Sequence, residues 1–111
     1  MQEKLKVLII DDHPLMRRGI KQLVELEENF EVVADVGSGT EGTSIAIQES
    51  PDLIILDLNM KGLSGLDTLK GLRAEGVDAR ILILTVSDAK NDIFTLIDAG
   101  ADGYLLKDTE P

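Results

Sequence analysis

Three short stretches of the chain, Leu5–Ile10, Leu53–Leu56 and Ile81–Leu84, are apolar at almost every position and lack the alternation of a strand with one wet face. Such runs predict strands buried on both sides of a sheet. Between them the apolar spacing becomes helical. Met16, Ile20, Leu23 and Val24 share a face, as do Ile45 with Ala46, Leu66 with Leu69, and Ile93 with Leu96 and Ile97. Pro14 suits a first helical turn, where its missing N–H forfeits no hydrogen bond. With further strands at Glu31–Val36 and Gly103–Leu106, the pattern predicts five strands separated by four helices, without repeat, low-complexity tract or linker. Strict alternation of this kind signals a parallel α/β sheet.

The expected fold is a flavodoxin-like, doubly wound five-stranded parallel sheet of order 2-1-3-4-5. Right-handed crossovers then place the first helix on one face and the next three on the other. The first face is under-covered, although the third and fourth strands are apolar on both sides. The final Asp108-Thr-Glu-Pro reads like the start of another helix. The expectation is therefore a single domain over 1–111, cut short at its C-terminus with the last helix missing. Its bare face should expose apolar surface, pair with another copy or borrow a helix by swapping.

Composition narrows the class. At 111 residues and 12.1 kDa the chain is one ordinary domain, large enough to bury a core and too small for two. Hydrophobic residues at 43% and charged residues at 29% fit a globular chain rather than a disordered one. Twenty-one acids against eleven bases leave a net charge of -10. That balance opposes direct binding of nucleic acid, whose phosphates need a basic surface. Cysteine is absent, which removes disulfides and thiolate zinc sites and fits a reducing compartment. No apolar run approaches the length of a membrane span, so no membrane role is expected and the cytoplasm is the default location.

Ligands of a doubly wound sheet bind beyond the carboxyl ends of its strands. The first strand ends at Asp11 and Asp12, the third at Asp57, the fourth at Thr85, and the fifth is followed by Lys107. These strands are neighbours, so the residues should converge. Crowded carboxylates favour a hard divalent cation, and Mg²⁺ takes a few protein oxygens while keeping waters for phosphate. Three carboxylates are balanced by one Mg²⁺ and one lysine. The metal and Lys107 can spread the charge of a transferring phosphoryl group, and aspartate is a competent nucleophile that forms an acyl phosphate. Asp57, central in the cluster, is the natural acceptor. Each residue also has a purely structural explanation. Asp11 and Asp12 could serve a helix N-terminus, Asp57 a turn, Thr85 a strand and Lys107 the solvated surface. His13 should cap or flank the first helix, with no ligand role. Joint placement at the strand ends favours the chemical reading.

Asp11-Asp12-His13-Pro14, Asp57-Leu-Asn-Met, Leu84-Thr85-Val-Ser and Gly103-Tyr-Leu-Leu-Lys107 resemble the motif set of two-component response-regulator receiver domains along the whole chain. The stretches HPLMRRG, DLNMKGLSGLDTL, LTVSDA and DAGADGYLLKD are similar to the NarL/FixJ family. The resemblance implies a CheY-like fold and a signalling domain rather than an enzyme, one that assists its own aspartyl phosphorylation and dephosphorylation with Mg²⁺. Asp57 would accept phosphate from a sensor histidine kinase. Asp12 and Asp57 would hold Mg²⁺ directly, Asp11 through water, and Asn59 through its backbone carbonyl. Lys107 would pair with the phosphoryl group, the Thr85 hydroxyl would move to it, and Tyr104 would follow as the readout. Val86, Ser87 and Asn59 would tune access, Val86 by narrowing it. The resemblance also implies homodimerisation on phosphorylation, DNA binding only through a C-terminal helix-turn-helix domain absent here, and control of nitrate- and nitrite-responsive genes. Three positions depart from the pattern, the first being Val86, which stands where a smaller residue is frequent. Lys61 and Asp108 stand where many receivers have proline, and the bond before Asp108 should be trans, since cis costs about 3 kcal/mol there.

Two other classes compete. An aspartyl-phosphate phosphatase of the haloacid dehalogenase type needs a general-acid aspartate two residues after the nucleophile. Asn59 occupies that place, and an amide cannot perform the proton transfer. A flavin-binding module would need hydroxyls and amides after the first strand, where Asp11 and Asp12 would repel phosphate.

Overall fold

Nine elements alternate without exception in a computed structural model that describes residues 4–60, 64–85 and 90–107. They are β1 (Leu5–Ile10), α1 (Pro14–Glu25), β2 (Phe30–Val36), α2 (Gly39–Glu49), β3 (Leu53–Asp57), α3 (Gly65–Ala74), β4 (Arg80–Thr85), α4 (Lys90–Asp98) and β5 (Gly103–Leu106). All strand pairs are parallel, and the order across the sheet is β2-β1-β3-β4-β5. The expected architecture is thus the observed one. Two strands run one residue further than their apolar cores, because Asp57 still pairs with Leu84 and Thr85 with Leu106. Both polar side chains are therefore carried to the rim on rigid, fully paired backbone.

The crossovers divide the core unequally. On one face Leu8, Ile10, Ile54, Leu56, Ile81 and Ile83 pack against Ala46 of α2, Leu69 and Leu72 of α3, and Leu96 of α4. On the other, Val7, Ile9 and Ile55 meet Ile20 and Val24 of α1. Helix α1 buries no residue completely, and Leu15 and Leu23 on it stay exposed. Further along that face Leu84 is half-buried, and its β5 partner Leu105 is exposed. The uneven cover follows from one helix standing against three, as the handedness of the crossovers requires.

Two local devices hold the rim in place. Ser64 caps α3 by accepting the Asp67 N–H at 3.1 Å. Gly65 follows it, and a Cβ there would lie 2.5 Å from Leu58 Cα and 2.6 Å from the Asp57 carbonyl oxygen, so only glycine lets the helix start this close to the end of β3.

At the far end of α3, Arg73 ties together three segments. Its guanidinium donates to the carbonyls of Val77 at 2.7 Å, Ala79 at 2.9 Å and Gly100 at 2.8 and 2.9 Å, and to Asp102 Oδ2 at 2.9 Å. Asp102 Oδ2 also accepts the Ile81 N–H at 2.8 Å, which closes the link from α3 to β4 and β5. Arg73→Ala should destabilise the fold by about 2 kcal/mol, the loss expected when several charge-assisted hydrogen bonds to half-buried carbonyls go unmade. Arg73→Lys should recover less than half of that, since one ammonium cannot span the fork. Urea denaturation followed by circular dichroism measures both, and equal midpoints for Arg73→Ala and the parent would contradict the bridging role.

Candidate functional site

The carboxyl ends of β1 and β3 and the turn after β5 bring Asp11, Asp12, Asp57 and Lys107 together. Asp11 and Asp57 have no exposed surface. Lys107, 50 residues along the chain from Asp57, donates from Nζ to Asp57 Oδ1 at 2.7 Å, and its side chain is only 12% exposed. The same Oδ1 accepts the Asn59 N–H at 3.1 Å. Lys107 is held in turn by its own backbone, whose N–H donates to the Thr85 carbonyl at 2.7 Å. Thr85 itself is buried at the end of β4.

On the β1 side, Asp11 Oδ1 accepts the His13 N–H at 2.9 Å, a tight turn of the kind aspartate forms with backbone two residues on. Arg17 braces the same turn, donating from its guanidinium to the Asp11 carbonyl at 2.8 Å and from Nε to Asp35 Oδ1 at 3.1 Å. His13 occupies the N-cap of α1 without a capping hydrogen bond from its own side chain, and Asp11 serves the entry to the helix by accepting the His13 N–H.

His13 flanks α1 at its N-cap, as expected, but its ring does more. It turns into the acidic cluster, with Nδ1 3.1 Å from Asp11 Oδ1, 3.1 Å from Asp12 Oδ1 and 3.3 Å from Asp57 Oδ2. A histidine next to paired acids at a strand end was the available signal, and its lone occurrence hid it. Asn59 reaches the cluster through its backbone N–H, which donates to Asp57 Oδ1 at 3.1 Å. Tyr104 lies apart from the cluster, exposed on β5 opposite Ile83. Lys61, Val86, Ser87 and Asp108 fall outside the described residues, as does the final Asp108-Thr-Glu-Pro.

The electrostatics are those of a site that wants a cation. Burial, with the charge of Asp57 added, pushes the Asp11 carboxyl above the usual aspartate range, while the hydrogen bond from the His13 backbone pulls against it. The hydrogen bond to Asp11 raises His13 above the ordinary imidazole range. Asp11 Oδ2 and Asp57 Oδ2 are buried and accept no hydrogen bond. Such oxygens are costly to bury unless something positive completes them. Asp11, Asp12, His13 and Asp57 each offer a ligand atom, all within 4.8 Å of one another, so the cluster can hold a metal ion. Among the described residues no helix is long and apolar enough to cross a membrane.

Comparison with known proteins agrees with this geometry. A family model described as the response regulator receiver domain matches residues 7–111. The whole chain is 90% identical to 53% of a nitrate/nitrite response regulator protein homolog of Haemophilus influenzae. Over 106 residues, 96% of the chain and 49% of the relative, it is 62% identical to the nitrate/nitrite response regulator protein NarP of Escherichia coli. The chain thus spans about half the length of the curated relatives it matches. Among solved structures, the signal receiver domain of NarL from Mycobacterium tuberculosis superposes with a TM-score of 0.90 at 30% identity, covering 97% of this chain and 87% of that one.

Proposed function

The chain belongs to the response regulator receiver domain family, and we propose that it works as the phosphorylation switch of a two-component system, with Asp57 as acceptor. The observation that carries this reading is the buried Asp57 carboxylate held by Lys107 at 2.7 Å beside the Asp11 and Asp12 acids. A sensor histidine kinase supplies the phosphoryl group. An Asp57 carboxylate oxygen attacks phosphorus as the P–N bond of the donor phosphohistidine breaks, and the electron pair leaves on the donor imidazole, which takes up a proton. The product is an acyl phosphate on Asp57. Lys107, already seated on that carboxylate, moves its ammonium onto the added negative oxygens.

Asp12 and Asp57 would hold Mg²⁺ directly with the Asn59 carbonyl, and Asp11 through a bound water, and the orphaned buried oxygens of Asp11 and Asp57 fit that role. Bound there, Mg²⁺ supplies charge that stabilises the transferring phosphoryl group. The Thr85 hydroxyl, at the end of β4, would move to hydrogen-bond a phosphoryl oxygen. Tyr104, now exposed, would turn inward after it, while Val86 and Ser87 set access. Phosphorylation acts by giving one of two conformations extra contacts.

The relatives named as nitrate/nitrite regulators suggest the same signal for the protein carrying this domain. Its DNA binding would reside in a C-terminal helix-turn-helix domain outside these residues, with homodimerisation on phosphorylation, in the cytoplasm. A net charge of -10 suits a regulatory half that does not itself touch DNA. Family membership sets aside the haloacid dehalogenase phosphatase reading, in keeping with Asn59 where that chemistry needs an acid.

Incubation with Mg²⁺ and phosphoramidate, followed by peptide mass mapping, tests the proposal. One phosphoryl group confined to Asp57, and lost in Asp57→Ala, is the expected result. Modification at another residue, or none at all in folded protein, would overturn it.

A further inference from the structure

The chain has one histidine, and the phosphoryl-transfer reading leaves it without work. His13 Nδ1 nevertheless lies 3.1, 3.1 and 3.3 Å from one oxygen each of Asp11, Asp12 and Asp57. A ring N–H has a single proton to donate, so three such contacts exceed what hydrogen bonding can use. Beyond the one hydrogen bond with Asp11 Oδ1, the spacings also match those of neighbouring ligands around one ion. With metal–ligand bonds of about 2.1 Å, adjacent donors stand about 3.0 Å apart in an octahedron and about 3.4 Å apart in a tetrahedron. Asp11 Oδ2, which is not among these contacts, is also buried without a hydrogen-bond partner. The ring is also placed to act as a ligand. Its side chain is 58% exposed, so Nε2 can keep its proton and give it to water while Nδ1 faces inward.

Resting on the reading of this pocket as a metal site, we propose that His13 Nδ1 is a fourth side-chain ligand, shifting the pocket's preference from Mg²⁺ toward first-row transition ions such as Co²⁺ and Zn²⁺. The chemistry is that of ligand type. Mg²⁺ prefers an all-oxygen shell and gains little from a nitrogen, whereas imidazole suits zinc and its first-row neighbours, which bind such sites more tightly in any case. Three carboxylates alone would make a hard oxygen site. Adding His13 makes it a mixed one.

The test uses the chain as it stands, with metal salts as probes. Zn²⁺ is titrated into ¹⁵N-labelled protein while the nitrogens of the single imidazole are followed by long-range ¹H–¹⁵N correlation. Calorimetry then gives Zn²⁺ and Mg²⁺ affinities for the parent and for His13→Ala. Zn²⁺ takes the place of any Nδ1 proton, which leaves to solvent, so the expected result is a displacement of the Nδ1 resonance larger than that of Nε2, which keeps its proton. In His13→Ala, Zn²⁺ affinity should fall about tenfold or more while Mg²⁺ affinity changes by less than about twofold. An unmoved Nδ1 resonance, or an unchanged ratio of the two affinities in His13→Ala, overturns the histidine ligand and leaves the Mg²⁺ pocket standing. Absence of binding by either ion to either protein overturns both readings together.

Discussion

Lys107→Ala should slow phosphorylation of Asp57 by a small phosphodonor about a hundredfold and destabilise the fold by about 3 kcal/mol, both from one cause. The lysine ammonium is seated 2.7 Å from a carboxylate that has no exposed surface, and its own side chain is nearly buried. Removing one partner of such a pair leaves the other charge in a poorly solvated place, which costs far more than the pair is worth as a unit. The same cation is at hand to meet the oxygens of an incoming phosphoryl group, so its loss should appear in the rate as well. The two effects separate in a double variant. Asp57→Asn removes the buried charge, so Lys107→Ala added to Asp57→Asn should destabilise by much less than Lys107→Ala alone. Urea denaturation measures the stabilities and mass spectrometry the rate. Additive stability losses would show that the lysine acts on something other than Asp57.

The sheet was legible because parallel strands buried on both sides leave an unbroken apolar run, and because helical spacing between them leaves few topologies open. The exact strand starts were less so: β2 begins at Phe30 and β4 at Arg80, one residue before the expected runs, while Asp57 and Thr85 close β3 and β4 where their sequence position puts them. Asp11, Asp57 and Lys107 could be placed at one rim from topology alone, since each directly ends or follows a strand that neighbours the next. His13, Arg17 and Arg73 could not. What each does depends on which way a long or rotatable side chain turns after the backbone is set, and spacing carries no record of that. Gly65 is a similar case. Its need for glycine arises from the backbone of Leu58 and Asp57 pressed against it, a contact that forms only when α3 docks. Tyr104 was placed on the right strand, while its exposed position depends on what covers β5.

Asp11→Asn should stabilise the metal-free protein by about 1 kcal/mol near neutral pH and remove most of the stabilisation that Mg²⁺ brings. Burial first, and the nearby charge of Asp57 after it, hold the Asp11 carboxyl above its ordinary range in the folded state. Folded protein therefore takes up this proton more readily than unfolded protein does. The penalty for keeping Asp11 charged is absent at low pH, where both states are protonated. It grows as pH rises from the ordinary aspartate value through the raised one, and it is complete above. Asparagine keeps the acceptor for the His13 N–H and drops the charge, so its advantage should be complete above the raised Asp11 value and fade as acid protonates Asp11 in the parent. With Mg²⁺ the order reverses, since the parent gains stability from a cation that satisfies the buried Asp11 and Asp57 oxygens, and Asp11→Asn has one charge fewer to offer. Thermal unfolding at two pH values, each with and without Mg²⁺, resolves all four conditions. A variant that is less stable than the parent without metal, or that gains as much from Mg²⁺, would mean that the acidic rim carries no electrostatic strain for a cation to relieve.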